Sequence, residues 1–309
     1  MEDVLESRWK KFRHRLELAG VRFLGRLPAL LPLRLAVKLG GALGVVAFDI
    51  VRIRRRVTID NIAAAFGNRY TESERRRIGR RSYINFAKSM IEFASLDRLD
   101  AARLRRIVRI EGREHLDAAL EGGRGVVAVT GHFGSWELLG AAMVAHGYPV
   151  DFLVGEQSNR LVDEMMNDLR SASGIGIIAR GVAARGVFGS LKKNRIVALL
   201  SDQDARSAGI FVDFLGRPAS TFQGAAQFAL RMRSVIACCC IVRQPDESHV
   251  AVFLPPIDVD PDNEREREIQ RLTEEHTKVL GLLVERYPDH YFWAHRRWKT
   301  RPREQPEGG

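Results

Sequence analysis

The hydrophobic pattern changes character near residue 100. Before that point apolar positions recur at helical intervals. Ile78, Ile84, Phe86, Ala87, Met90, Ile91 and Phe93 follow Thr71 and Glu74, which are spaced as a capping box. This predicts a helix running to about Leu96, with Pro28 and Pro32 punctuating the apolar segment upstream. After Arg106 short runs rich in Val and Ile take over, at 107–110, 125–130, 150–154, 196–200, 235–242 and 250–253, with helical patterns between them. Strands of this kind are buried on both faces, so the alternation predicts an α/β fold with a mostly parallel central sheet flanked by helices. Ile269, Leu272, His276, Val279, Leu280 and Leu283 mark one face of a late amphipathic helix. The chain thus divides into a helical N-terminal region, 1–100, an α/β core, 101–303, and a loose tail, 304–309, with no internal repeat.

Charge refines the picture of the first region. Residues 16–50 are rich in Leu, Val and Ala, yet Arg22, Arg26, Arg34 and Lys38 interrupt them. The longest uncharged stretch, 39–48, falls well short of the roughly 20 apolar residues that a spanning helix needs. The first eleven residues hold Glu2, Asp3, Glu6, Arg8, Lys10 and Lys11 and no apolar core, which excludes a signal peptide. Over the whole chain 49 Lys and Arg against 38 Asp and Glu give +11, and residues 1–60 alone hold 13 basic and 6 acidic side chains. A segment both apolar and basic suits the headgroup layer of a membrane surface, its Arg and Lys stems reaching for lipid phosphates. The competing reading packs these helices on the domain with solvated basic faces. An apolar fraction of 45% excludes wholesale disorder. The positive balance points to anionic partners: a phospholipid surface, a phosphorylated substrate or an acidic carrier protein. Nucleic acid is the weaker candidate, because the basic residues are dispersed and no RRM, KH or zinc-finger pattern is present.

The chemistry concentrates at the end of the second strand. There Val126 to Thr130 runs into Gly131-His132-Phe133-Gly134-Ser135-Trp136-Glu137, so a histidine stands in a strand-to-helix turn between two glycines. Ligands of open α/β sheets collect outside the carboxyl ends of strands. On a continuous helix His132 and Glu137 would point about 140° apart. A break at Gly134, with Ser135 as helix cap, lets Glu137 fold back toward the ring. A carboxylate so placed fixes the imidazole tautomer, and His132 becomes a general base. No G-x-S-x-G elbow supplies a covalent nucleophile, so direct attack by a substrate hydroxyl is the simpler mechanism. The absence of H-E-x-x-H argues against zinc. The three cysteines, Cys238, Cys239 and Cys240, are adjacent in a strand and lack the spacing of either a disulfide or a metal site.

The 131–137 block resembles the H-x4-D/E motif of the lysophospholipid acyltransferase superfamily, specifically its lipid A biosynthesis branch, the lauroyl and myristoyl transferases. Asn61-Ile62 and Ala65-Phe66 are similar to an upstream element of that family, with Gly67 in place of a proline. Ser201 to Asp204, Val212 to Ala219, Thr221 to Gly224 and Trp293 to Pro302 resemble further blocks, in family order, so the likeness spans about Trp9 to Pro302. It implies a glycerolipid acyltransferase-like core in which the histidine activates an acceptor hydroxyl against the thioester of an acyl carrier protein or coenzyme A donor. It also implies an anionic glycolipid acceptor, a lipid A precursor, at the cytoplasmic face of the bacterial inner membrane, with no cofactor beyond the acyl donor. The charged interruptions before residue 50 depart from the longer apolar anchor common in the family and favour peripheral attachment. A phosphatidylinositol mannoside acceptor is the alternative within the chemistry, and a noncatalytic membrane-surface protein the alternative outside it.

Other candidates are substrate-binding. Arg170 and Asn159 follow the strand ending near Val154; Arg170 suits orienting an acceptor phosphate, by bidentate contact, or the catalytic site, or else is a solvated helix charge. Asp202 and Gln203 stand at another strand end, to position the acceptor and buttress the site or to close a turn. Trp293, Trp298, Arg296, Arg297 and Lys299 form either an interfacial patch or a docked C-terminal segment.

Overall fold

A computed structural model of the protein describes residues 31–155 and 157–302. The first thirty residues, and with them the signal-peptide reading, and the 304–309 tail lie outside the described residues. The first three helices are α1 (Leu33–Val45), which runs on as one π turn over Val46–Ile50, α2 (Arg55–Phe66) and α3 (Glu72–Phe93). The capping box is formed. The Thr71 hydroxyl accepts from the Glu74 amide at 3.3 Å, and the Glu74 carboxylate accepts from the Thr71 amide at 2.8 Å. The helix stops at Phe93, three residues before the expected end, and a separate 3-10 turn covers Leu96–Arg98.

The remaining elements alternate: α4 (Ala101–Ile107), β1 (Val108–Glu111), α5 (Arg113–Glu121), β2 (Val126–Thr130), α6 (Trp136–Ala145), β3 (Val150–Val154), α7 (Arg160–Ala172), β4 (Gly176–Ala179), α8 (Ala183–Leu191) and β5 (Ile196–Leu200). They continue with β6 (Ile210–Asp213), β7 (Pro218–Thr221), α9 (Gly224–Met232), β8 (Val235–Arg243), β9 (His249–Phe253) and α10 (Arg265–Arg286). Seven strands form one sheet in the order β1-β9-β8-β2-β5-β3-β4. All neighbours are parallel except β8 and β9, which form an antiparallel pair, so β1 and β9 run against the other five. The strands β6 and β7 make a separate antiparallel hairpin.

The centre of the sheet is dry on both sides. Every residue of β2 is buried, as its unbroken apolar run requires. On one face Ala128, Ile196 and Cys239 pack beneath α6 through Leu138, Leu139 and Met143. On the other, Val127, Val197 and Cys238 pack against Val187 of α8, Ala226 of α9 and Leu272 of α10. The three cysteines are free and buried, and burial pushes the Cys239 thiol up to about 12, which leaves it inert. A third cluster joins the two ends of the chain: Ile62 and Phe66 of α2 pack with Phe214, Leu280, Tyr291 and Trp293.

Candidate active site

The sheet order brings the site together. In the β2–β5 ladder Thr130 pairs with Leu200, so the residues that follow each strand emerge side by side. Ser201 donates its amide to the Thr130 carbonyl at 3.0 Å, extending the alignment one residue further. Gly131 and Asp202 then come so close that a Cβ on Gly131 would stand 3.0 Å from the Asp202 Cβ. The Asp202 carboxylate accepts from the His132 amide at 2.9 Å through Oδ2, and its Oδ1 lies 2.9 Å from His132 Nδ1. Asp202 is therefore the carboxylate that holds the ring. It is 3% exposed, while the His132 side chain keeps 20% of its surface open.

This corrects the expected pairing of His132 with Glu137. The break at Gly134 is real: its φ is +57°, and a Cβ there would collide with the Ile241 carbonyl 2.0 Å away. Glu137 does sit in the first turn of α6 and does line the same cavity. Its carboxylate, however, is taken by Arg170, whose Nε donates at 2.9 Å and Nη2 at 2.5 Å. Ser135 precedes the helix without capping it by its side chain.

Arg170 departs from expectation for the same reason. It is 8% exposed, so it is no solvated surface charge. With Nη1 donating to Asn167 at 2.8 Å, its fork is occupied rather than open to a phosphate. Asn159 caps α7, accepting from the Leu161 amide at 3.2 Å, and does not line the cavity. Gln203 stays at the site: its amide nitrogen is 3.4 Å from His132 Nε2.

The charges act on one another. Burial opposes a charge on the His132 ring, but the Asp202 carboxylate, by charge and by hydrogen bond, and then Glu137 outweigh it and hold the imidazole above its ordinary value. Burial alone would raise the Asp202 carboxyl, yet the imidazole facing it holds it below the ordinary carboxylate range. With Nδ1–H donating to the ionised Asp202, Nε2 is the nitrogen left to exchange a proton.

His132, Glu137, Arg170 and Gln203 line the polar end of a cavity of about 660 Å³, with Asp202 buried behind the ring. Inward it passes between α6 and the sheet, bounded by Ala128, Leu139, Met143, Val150, Ile196 and Cys239. It follows β5 from Leu200 to Ile196, roughly 13 Å at ~3.3 Å per residue. The mouth extends past Gln203 to Arg180 and Phe222.

A C-terminal strap completes the site, the docked one of the two readings that the Trp- and Arg-rich segment offered. Phe292 donates its amide to the His132 carbonyl at 3.0 Å, and Gly134 donates to the His290 carbonyl at 2.8 Å. Asn61 of α2 donates to the carbonyls of Trp293 and His295 at 2.8 and 2.5 Å. His295 Nε2 in turn accepts the Asp204 amide at 3.0 Å. Of the proposed interfacial group, Trp293 and Arg297 are 1% and 2% exposed, so the segment is docked rather than spread on the surface. Among the described residues no cluster of His, Cys, Asp or Glu could hold a metal ion.

Comparison with known proteins adds to this geometry. Residues 7–300 match the family model of the bacterial lipid A biosynthesis acyltransferases. The chain is 26% identical over 275 residues to a lipid A biosynthesis palmitoleoyltransferase of Escherichia coli (strain K12), covering 88% of this chain and 87% of that one. It is 25% identical over 279 residues to the lipid A biosynthesis lauroyltransferase of the same organism, covering 89% of each. A phosphatidylinositol mannoside acyltransferase of Mycobacterium tuberculosis (strain CDC 1551 / Oshkosh) is 29% identical over 125 residues, 39% of this chain and 40% of that one.

Proposed function

Since the chain belongs to the bacterial lipid A biosynthesis acyltransferase family and is an acyltransferase, we propose that it moves a fatty acyl chain from a thioester donor to a hydroxyl of an anionic, lipid A-type glycolipid. The observation that carries the reading is the 2.9 Å contact of His132 Nδ1 with Asp202, on a ring that lines a cavity with an apolar interior; it favours the tautomer that leaves Nε2 free to take a proton. The acyl chain of the donor, acyl carrier protein or coenzyme A, occupies that interior. Nε2 takes the proton of the acceptor hydroxyl as its oxygen attacks the thioester carbonyl. The tetrahedral intermediate collapses with loss of the thiolate, which recovers the proton from His132. Asp202 stabilises the imidazolium between the two transfers. Glu137 and Arg170 act as a buried pair that shapes the mouth and adds negative potential behind the ring.

The reading includes attachment to a membrane surface at its cytoplasmic face. Among the described residues no helix is long and apolar enough to cross a membrane. Leu35, Leu39, Leu43, Val46 and Ile50 recur at intervals of three and four along α1 and its π turn and are all exposed. Arg34 and Lys38 stand beside them, the composition of an interfacial helix. Mass spectrometry of lipids from cells with and without the gene tests the whole proposal. One anionic glycolipid lacking a single acyl chain is the expected change, restored by the wild-type gene and not by His132→Ala. A mannosylated phosphatidylinositol as the affected lipid would move the acceptor to that class, and an unchanged lipid profile would reject acyl transfer.

A further inference from the structure

Arg297 is a cation in an unusual place. Its residue is 2% exposed, yet among the described residues no carboxylate lies within salt-bridge distance of it. Nη1 donates to the Ser220 carbonyl at 2.6 Å and reaches the Gln203 carbonyl at 3.5 Å, and Nη2 donates to the Thr221 hydroxyl at 2.5 Å. Nε has no partner, and the guanidinium carbon lies 5.2 Å from the Phe214 ring centroid. Interior cations without a directly paired carboxylate are costly, and neutral acceptors recover only part of the lost hydration. What faces this one across the packing is the Asp202–Asp204 turn and the Tyr291 hydroxyl.

We infer that Arg297 is a positioning residue for the proposed transfer: its guanidinium is the permanent counter-charge of Asp202, and its hydrogen bonds clamp the Gln203 backbone to the β6–β7 hairpin. The inference rests on the reading of His132 as base and extends it. The Asp202 carboxylate raises the proton affinity of the ring it faces, and a fixed cation on its other side offsets part of that pull. A second, fixed positive charge shares the compensation, so Asp202 stays ionised behind an uncharged ring. The remaining charged and titratable groups facing His132 are Glu137 of α6, itself compensated by Arg170 of α7, and His295 of the C-terminal strap. Arg297 also presses on two buried or half-buried histidines. The His276 ring, lowered to about 4 by burial and by the Arg297 charge, and His295, lowered chiefly by burial, are both left uncharged near neutrality. The guanidinium is thus the standing positive charge on this side of Asp202.

The test compares Arg297→Met, which removes the charge and keeps an apolar side chain, with Arg297→Lys, which keeps the charge and loses the fork. Two readouts are taken on protein shown to be folded by its thermal transition: the pH dependence of kcat/KM, and the titration of the His132 ring followed by NMR without substrate. In Arg297→Met the acidic limb and the ring titration should both move up by about half a pH unit or more, because one positive charge has left. In Arg297→Lys both should stay within a few tenths of wild type while kcat falls, because Gln203 is no longer clamped. A wild-type titration in Arg297→Met, or a titration in Arg297→Lys displaced by half a unit, overturns the inference. Should Arg297→Met fail to fold, the Lys variant decides by the same criterion. The NMR arm needs no turnover, so its failure is distinct from failure of the proposed function, which the His132→Ala complementation reads separately.

Discussion

His132 and Asp202 are seventy positions apart in sequence and 2.9 Å apart in space, and that contact separates what each carboxylate near the ring is for. Replacing Asp202 by Asn leaves the ring without the acceptor that fixes its tautomer, and kcat is expected to fall by about 10³–10⁴-fold with the fold retained. Glu137→Gln acts elsewhere. It strips the buried Arg170 of its counter-charge, so a loss of roughly 3 kcal/mol in unfolding free energy should accompany a smaller fall in kcat. Denaturant titration and steady-state kinetics on the two variants decide which carboxylate serves the base: a larger fall in kcat for Glu137→Gln than for Asp202→Asn would reverse the assignment. The raised imidazole value also sets a pH dependence. A base must be uncharged, so kcat/KM should climb with pH through a midpoint above 6.5. The sign for stability is opposite: the charged pair contributes fully below 6.5 and fades as pH rises past the higher folded-state value. His132 itself was legible, because a strand, two glycines and a helix start leave a turn histidine little other reason to be there. Asp202 was legible as a strand-end residue that could buttress the site, but not as the partner of the ring: Glu137 is nearer in sequence, and nothing in a linear pattern says that β5 lies beside β2. Arg170 and Asn159 were legible as polar residues after a strand but not as an ion-pair member and a helix cap, which depend on where α7 lands.

The elements follow from local chemistry where that chemistry is strong. Thr71 and Glu74 start α3 by capping, and removing the Thr71 side chain should cost about 1 kcal/mol, measurable by thermal unfolding of Thr71→Ala. At the start of α10, Glu268 is fully buried and accepts from the Asp260 amide, the Asn263 side chain and Arg271. Arg271 above all, with those neighbours and against burial, holds the Glu268 carboxyl down to about 2. Its contribution is therefore complete above 4.5 and is lost as pH falls toward about 2. Glu268→Ala should destabilise by about 2 kcal/mol at neutral pH and by less in acid, a difference that equilibrium unfolding at two pH values reads directly. The six Val- and Ile-rich runs all correspond to strands, with burial complete in β2 and only partial in β1, a four-residue strand that pairs with β9. Three others escaped notice. The strand β4 is a four-residue edge strand, half-buried for much of its length, and β6 and β7, of four residues each, form a hairpin outside the main sheet, so the apolar stretch within each is short.

At the scale of the molecule, chemistry and exposed grease are carried by different elements. The cavity opens at the carboxyl ends of the central strands, while α1 and its π turn hold the exposed apolar row, with Ile50 72% and Leu35 52% exposed. The protein should sediment with vesicles rich in anionic phospholipid, less so at high salt. Replacing Leu35, Leu39 and Ile50 together by Ser should weaken that binding without disturbing the thermal transition, whereas undiminished sedimentation would assign attachment to another surface. The strap across the His132 turn has a different consequence. Residues 288–297 supply the backbone that pins the histidine and the cation that faces Asp202, and a ribosome lays them down long after the sheet that they lock. A chain stopped before residue 288 keeps every strand of the sheet and lacks the contacts that pin the His132 turn, so on the proposed mechanism it should be synthesised, measurable by its thermal transition, and inactive in acyl transfer.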